Sequence, residues 1–190
     1  MGASLTEIRW HGRGGQGAVT AAKMVAEIAA DRGKCFQAFP EYGPERSGAP
    51  IVAFTRLSNN PIQCYSAIEH PNVVLVLDET LLGVVDVTDG APDDAIIIVN
   101  TEKSPEELQR RFSFSGRSLM TVPATKIAKE TLGRAIPNTP MVSALSKVTG
   151  YFSLDEIEEH LTHTFGKKFP EKVVKANLEA AKRGYEEVQG

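Results

Sequence analysis

The residues best suited to chemistry lie near the start of the chain, in the run Gly12-Arg13-Gly14-Gly15-Gln16-Gly17. The first, third and last of these have the spacing G-x-G-x-x-G, which is typical of turns that surround a phosphate with backbone N–H groups. Glycine permits positive φ at such a turn and lets a ligand or another backbone segment come close. A helix rich in alanine follows, and the free N–H groups of its first turn favour an anion. We therefore predict a diphosphate or acidic-partner site here, with the candidate residues Gly12, Arg13, Gly14, Gly15, Gln16 and Gly17.

A second candidate segment runs from residue 39 to residue 50. Its twelve residues include three prolines and two glycines, a composition that restricts the backbone of a loop strongly. A stiff loop with charged and aromatic side chains is suited to recognition, although a plain solvated connection has a similar composition. We favour recognition, and the side chains that would carry it are Glu41, Tyr42, Glu45 and Arg46.

Two other groups of polar residues have simpler explanations. Asp78, Glu79 and Thr80 follow an apolar strand, where they could line a ligand crevice, but we favour Asp78 as the cap of a helix. His160 and His163 are spaced i, i+3 and could hold a metal, but an exposed helical pair is the simpler interpretation. The residues predict a binding site and no catalytic residue.

Composition limits the function further. The 190 residues carry a net charge of −3, which makes a broad electrostatic grip on nucleic acid or on a membrane surface unfavourable. No apolar run reaches the roughly 18 residues that a membrane span requires. The two cysteines, Cys35 and Cys64, lie far apart, which argues against a disulfide scaffold and a cysteine-ligated cluster within this chain. The start of the chain has no secretory signal pattern, so we expect a cytoplasmic protein.

The pattern of apolar runs predicts the elements that position these residues. We expect strands at 5–10, 35–39, 50–56, 73–77, 95–99 and 119–122, with 62–65 pairing back as a hairpin. We expect helices at 18–32, 125–132, 140–149, 153–165 and 170–188, and a further helix starting at Ser104. This alternation predicts an α/β fold: a single domain over residues 1–190, Rossmann-like, with a mostly parallel sheet flanked by helices, a β-hairpin and a helical C-terminal extension.

Residues 7–17 and 37–50 together resemble the gamma subunit of the 2-oxoacid:ferredoxin oxidoreductases, the pyruvate synthase type above the others. The similarity continues through residues 72–82 and 137–141. It implies a complex that converts a 2-oxoacid and coenzyme A to acyl-CoA and carbon dioxide while reducing ferredoxin. Within it, this chain is expected to be a non-catalytic subunit, inactive alone, which helps to position coenzyme A and completes the assembly of the active site.

The resemblance also implies the partners. The alpha, beta and delta subunits are expected to hold thiamine diphosphate, Mg²⁺ and the 4Fe-4S clusters, while this chain alone binds no cofactor. Residues 12–17 would contact the diphosphate of coenzyme A. The side chains expected to face the thiamine-bearing subunit are Glu41, Tyr42, Glu45, Arg46 and Ser47.

Three alternatives stay open. The complex could act on a branched, aryl or dicarboxylic 2-oxoacid such as 2-oxoglutarate. The glycine spacing could serve NAD in a dinucleotide-binding dehydrogenase subunit, although Glu41 follows the first strand at more than the expected distance. The chain could also be a scaffold whose glycine turn contacts only protein.

Overall fold

The structure is a computed structural model that describes residues 5–41, 48–114 and 116–190. Its strands are β1 (Thr6–Arg13), β2 (Cys35–Pro40), β3 (Pro50–Ser58), β4 (Val73–Val76), β5 (Ile96–Asn100) and β6 (Ser118–Val122). Its helices are α1 (Ala18–Asp31), α2 (Pro105–Gln109), α3 (Ala124–Leu132), α4 (Asn138–Thr149), α5 (Leu154–Gly166) and α6 (Glu171–Glu186). A 3-10 helix at Glu79–Gly83 follows β4.

The strands form one six-stranded sheet in the order β2-β3-β1-β4-β5-β6. The pairs β1–β4, β4–β5 and β5–β6 are parallel, whereas β3 is antiparallel to both of its neighbours, β1 and β2. The predicted α/β fold with a mostly parallel sheet is therefore confirmed. All parallel strands end at one edge of the sheet, where the polar residues that follow them come together.

Two predicted strands needed correction. β1 continues through Arg13, because its last residues pair with the beginning of β3, so the glycine run starts inside the strand. Residues 62–65 form no strand, and the predicted hairpin at this position is wrong. The strands β2 and β3, which follow one another in the chain, form an antiparallel pair instead. Every residue of β2 is paired with a residue of β3, from Cys35 with Ser58 to Pro40 with Ala53.

The two faces of the sheet have different covers. On one face, α1 and the helices α3 to α6 bury the main apolar cluster, in which Trp10 is fully buried. The other face of β4, β5 and β6 is covered by the 3-10 helix, by α2 and by Phe114. The continuous apolar sequence of β4 follows from this burial on both sides.

Small residues let α1 lie close to the sheet. Ala18, Ala21 and Ala22 of α1 are buried against it. The indole N–H of Trp10 donates to Oγ1 of Thr55 at 3.1 Å, and that hydroxyl donates to the carbonyl oxygen of Ala22 at 3.1 Å. These two bonds satisfy the polar atoms in the contact and hold α1 over β1 and β3.

The helix boundaries confirm the predicted caps. The hydroxyl oxygens of Ser104 and Ser153 each accept from the backbone N–H of the third helical residue, a glutamate. The carboxylate of that glutamate accepts from the serine backbone N–H. Gly33 follows α1 with φ of 69°, as a residue after a helix end requires. Among the helices of the described residues, none is long and apolar enough to cross a bilayer.

Candidate functional site

The glycine segment, residues 12–17, is shaped by packing as much as by its turn. A Cβ atom at Gly12 would lie 3.2 Å from Cβ of Ala18, so glycine at this strand position allows α1 to approach β1. The left-handed conformations belong to Gly15, with φ of 96°, and to Gly17, with φ of 85°. Of these two, only Gly17 belongs to the G-x-G-x-x-G spacing, so the motif locates the turn after β1 without identifying both left-handed positions.

Gln16 closes this turn with its side chain. Its side-chain Oε1 accepts from the backbone N–H of Arg13 at 2.7 Å. The backbone N–H of Gln16 donates to the Arg13 carbonyl at 3.1 Å. Its Nε2 donates to Oδ2 of Asp78 at 2.7 Å. Gln16 thus braces the turn and joins it to the end of β4.

Arg13 connects the glycine segment to two other parts of the chain. Its Nε lies 3.3 Å from Oδ2 of Asp78, and its Nη2 donates to Oγ1 of Thr80 at 3.0 Å. Its Nη1 donates to the carbonyl oxygen of Gly48 at 3.1 Å. The guanidinium group therefore already has oxygen partners on three residues.

Asp78 lies at the centre of this network. It accepts from the N–H and the hydroxyl of Thr80, at 3.0 and 2.7 Å, which confirms its predicted capping role. Burial opposes its ionisation, but the hydrogen bonds from Thr80 and Gln16 and the charge of Arg13 together lower the pKa of Asp78. The carboxylate is therefore ionised at neutral pH.

The first turn of α1 has backbone N–H groups without a protein acceptor in the part of the chain that the structure describes, and its first residue, Ala18, is fully buried. Gly17 occupies the N-cap position and supplies no side-chain acceptor. Among the described residues, none accepts from the backbone N–H groups of Ala18, Val19 and Thr20. These groups and the helix dipole favour negative charge, while the nearby side-chain donors are engaged with Asp78.

A cavity of about 390 Å³ lies beside the glycine segment, at the carboxyl ends of the parallel strands. Gln16, Asp78 and Glu79 form one side of it. The remaining lining residues are Leu77, Asn100 at the end of β5, and residues that follow β5 and β6: Thr101, Glu102, Lys103, Pro123, Thr125 and Lys126. This edge of an open α/β sheet is the usual position of a ligand crevice.

Hydrogen bonds fix the base of the cavity. Nδ2 of Asn100 donates to the Leu77 carbonyl at 2.8 Å and to Oγ1 of Thr125 at 2.7 Å. The Thr125 N–H donates to Oδ1 of Asn100 at 2.9 Å. Asn100 therefore holds the ends of β4 and β5 and the start of α3 in one arrangement.

Glu79 is tied to the residues after β5. It accepts from Nζ of Lys103 at 2.5 Å and from the hydroxyl of Thr101. Burial opposes its ionisation, but these two bonds and the charge of Lys103 lower the pKa of Glu79. The cavity wall thus carries charges of both signs that are already paired.

The predicted recognition loop is only partly within the described residues. Glu41 is exposed, and its N–H donates to the Val52 carbonyl at 2.9 Å, which extends the β2–β3 pairing by one residue. The other four predicted residues, Tyr42, Glu45, Arg46 and Ser47, lie outside the described residues. The end of the loop does reach the glycine segment, because the Gly14 N–H donates to the Ala49 carbonyl at 3.1 Å.

The predicted exposed histidine pair is wrong for His160, which is buried between α5 and α1. Its Nδ1 lies 2.8 Å from Oδ2 of Asp31. His163 is oriented differently, with Nε2 at 2.9 Å from Nζ of Lys167. Within residues 5–41, 48–114 and 116–190, no three His, Cys, Asp or Glu side chains are grouped as a metal site requires.

His11 is buried on the opposite face of β1 from α1. Burial, followed by the charge of Arg9, lowers the pKa of His11 to about 4. Its Nε2 is buried and has no hydrogen-bond partner among the described residues. His11 is therefore neutral at physiological pH and belongs to the packing beneath the site.

The sheet order disfavours the NAD alternative. In a dinucleotide site, the strand that follows α1 lies next to β1 and presents an acidic residue to the ribose. Here β3 lies between β1 and β2, so the end of β2 is two strand spacings, about 10 Å, from β1. Glu41 is exposed at that distant position and does not complete the motif.

Sequence reasoning missed part of the cavity. Lys103, Thr125 and Lys126 were not identified as site residues, although they follow β5 and β6 as Asp78 follows β4. A signal was present, because polar residues directly after successive parallel strands meet at one sheet edge.

Comparisons with known proteins agree with this architecture. The family described as "Pyruvate ferredoxin/flavodoxin oxidoreductase" matches residues 7–187. Pyruvate synthase subunit PorC of Thermotoga maritima is 50% identical over 183 residues, covering 96% of this chain and 94% of that protein. The pyruvate/ketoisovalerate oxidoreductases common subunit gamma of Pyrococcus furiosus is 48% identical over 185 residues, covering 97% and 98%.

A solved structure shows the same fold. The crystal structure of pyruvate oxidoreductase subunit PORC from Thermotoga maritima superposes with a TM-score of 0.85 at 46% identity, covering 97% of each chain. With residues 7–187 matched, the chain belongs to the pyruvate ferredoxin/flavodoxin oxidoreductase family.

Proposed function

Because the chain belongs to this family, we propose that it is the gamma subunit of a pyruvate:ferredoxin oxidoreductase. The complex converts pyruvate, coenzyme A and oxidised ferredoxin to acetyl-CoA, carbon dioxide and reduced ferredoxin. Support comes from relatives at 50% and 48% identity that are subunits of pyruvate and pyruvate/ketoisovalerate oxidoreductases. The second relative, a common subunit of two oxidoreductases, also supports a branched 2-oxoacid as the alternative substrate.

The role of this chain in the complex is structural, and the reaction takes place at cofactors of the partner subunits. The alpha, beta and delta subunits hold thiamine diphosphate, Mg²⁺ and the 4Fe-4S clusters and pass electrons to ferredoxin in the cytoplasm. A 4Fe-4S cluster takes four cysteine ligands, whereas this chain has two cysteines, and those are free. The gamma-type domain spans residues 1–190 and is inactive alone.

The single observation that carries the role in coenzyme A binding is the position of the glycine segment. It ends β1 beside a cavity of about 390 Å³ that Gln16 lines, and the α1 turn that follows has N–H groups without an acceptor among the described residues. Those N–H groups suit a diphosphate, and the cavity suits the polar groups attached to one. Glu41 and residues 42–47 then face the thiamine-bearing subunit. The bond from the Gly14 N–H to the Ala49 carbonyl joins the glycine segment to the end of this loop.

A scaffold role is the second candidate, and a specific observation favours it. Arg13 and Gln16 already bind Asp78, Thr80 and Gly48, so the segment holds its shape without a ligand. In that case the same surface contacts only protein. The two candidates differ in whether damage to the glycine segment changes coenzyme A affinity in an assembled complex.

A matched pair of variants tests the proposal. Gly15→Asp and Gly150→Asp both place a carboxylate at a positive-φ glycine with no heavy atom within 4 Å of the added Cβ. In the assembled complex, calorimetry should show coenzyme A affinity about tenfold weaker for Gly15→Asp, because like charge repels the diphosphate. Gly150→Asp should bind as the unmodified complex does.

Activity assays complete the test. The isolated chain should not reduce a viologen dye with pyruvate, and adding it to a complex that lacks it should restore activity. Turnover by the chain alone contradicts the proposal. A lower yield of assembled complex with Gly15→Asp, with unchanged coenzyme A affinity in the complex that does assemble, supports the scaffold role instead.

A further inference from the structure

Asp78 binds the two side chains of the glycine segment, Arg13 and Gln16, that could otherwise donate hydrogen bonds to an anion. Its Oδ2 accepts from Nε2 of Gln16 at 2.7 Å and lies 3.3 Å from Nε of Arg13. The register of β1 and β4 brings it there, because the Leu77 N–H donates to the His11 carbonyl at 2.7 Å. The next residue, Asp78, then stands beside Arg13.

These two contacts are not needed for the capping role. Asp86 forms the same Asp-x-Thr turn, in which Oδ1 accepts from the N–H and the hydroxyl of Thr88 at 2.9 and 2.7 Å. In both turns one oxygen of the carboxylate caps the backbone. Only in Asp78 does the second oxygen bind Gln16 and Arg13.

We propose that Asp78 is a built-in competitor of the anion at the glycine segment. A diphosphate that reaches the glycine segment meets a carboxylate that already binds the two side-chain donors of that segment, Arg13 and Gln16. Binding therefore requires Arg13 and Gln16 to exchange Asp78 for the ligand, or to remain with Asp78 while its charge repels the ligand. In both cases Asp78 lowers the affinity and favours release of the anion.

This inference rests on the proposed function, because it assumes that the glycine segment receives a diphosphate. It adds a specificity-determining residue to that function. The carboxylate weakens the binding of every small phosphate, so a ligand must gain affinity from further contacts. A large ligand such as coenzyme A can make them in the neighbouring cavity, whereas inorganic pyrophosphate cannot.

The test uses Asp78→Asn, with Asp86→Asn as the matched control, in the assembled complex. Asparagine keeps one oxygen for the Thr80 cap and removes the charge that faces Arg13 and Gln16. Calorimetry should show inorganic pyrophosphate and coenzyme A binding about fivefold more tightly to Asp78→Asn. The gain should shrink at high salt, and Asp86→Asn should bind as the unmodified complex does.

Each outcome decides a different point. Equal or weaker binding by Asp78→Asn, with coenzyme A affinity still sensitive to Gly15→Asp, overturns the inference alone. Coenzyme A affinity insensitive to Gly15→Asp overturns the proposed ligand site and this inference with it. If Asp78→Asn does not assemble, Asp78→Ser, which keeps a capping oxygen without charge, must show the same gain.

Discussion

Two corners at the same edge of the sheet differ in how their polar groups are used. At the first corner, where β1 meets α1, the glycine segment is braced by Arg13, Gln16 and Asp78. At the second corner, where β5 and β6 end, Asn100 and Thr125 form the base of a cavity of about 390 Å³. The first has a recognisable sequence motif, and the second has none. The motif indicates a backbone shape, whereas the space for a ligand arises from residues that different strands bring together.

The largest expected effect is a loss of unfolding free energy in acid. Its cause is His11 in β1, the strand that ends at the first corner. His11 stays neutral in the fold until the pH approaches its lowered pKa of about 4, whereas the unfolded chain binds this proton near 6.5. Stability therefore falls as pH falls from 6.5 to 4, by on the order of 3 kcal/mol. His11→Leu should flatten this part of the curve of unfolding free energy against pH.

The exposed His70 provides the control for this measurement. His70→Leu makes the same substitution at an exposed position and should leave the acid part of the curve as steep as in the unmodified protein. Parallel curves for His11→Leu and the unmodified protein would contradict the assignment.

The next largest effect should separate two glycines of the first corner. A Cβ atom at Gly17 would lie 3.2 Å from Cβ of Asn138, and Gly17 has φ of 85°. Gly17→Ala should cost about 2–3 kcal/mol of unfolding free energy in urea, because strain and overpacking add. Gly15→Ala, with φ of 96° and no atom within 4 Å, should cost about 1 kcal/mol. Equal losses would mean that packing against α4 does not determine the residue at 17.

A change at the second corner should have a slightly smaller effect. Asn100→Ala removes the bonds to the Leu77 carbonyl and to Thr125 and leaves buried groups without partners. The expected loss is about 2 kcal/mol in urea unfolding. The exposed Asn59 is the control, and Asn59→Ala should change stability by less than about 0.5 kcal/mol. A loss below that value for Asn100→Ala would show that the cavity base does not depend on this residue.

The smallest effect should come from the charged wall of the second corner. Glu79→Gln replaces the ion pair with Lys103, whose side chain is 34% exposed, by a neutral contact. Such a pair contributes less than about 1 kcal/mol. Because the pKa of Glu79 is lowered, its contribution is present above the ordinary value of 4.5 and is lost as pH falls below it. A difference between Glu79→Gln and the unmodified protein that grows in acid would contradict this sign.

Much of the fold could be predicted because local patterns carry it. The apolar runs indicated all six strands within three residues at each end, and Ser104 and Ser153 marked helix starts that the structure confirms. The errors came from pairing. The apolar residues at 62–65 suggest a strand, but no partner strand is available there, since β3 is already paired on both sides.

The candidate site was predictable in part for the same reason. The glycine segment was visible because its turn needs glycine at particular positions, and Asp78 was visible as a cap. The contacts of Arg13 with Thr80 and Gly48 join residues 67 and 35 positions apart, which no local pattern indicates. Lys103 and Lys126 were missed because their significance depends on strand order.

The sequence by itself determined the family, the α/β class and the turn between β1 and α1, since motif, periodicity and capping act over a few neighbouring residues. Only the tertiary structure decided that β3 separates β2 from β1, that His160 is buried, and that Asp78 faces Arg13 and Gln16. The physical reason is that these outcomes depend on which distant segments pair and cover one another. That choice is made by the free energy of the whole core rather than by any single stretch of the chain.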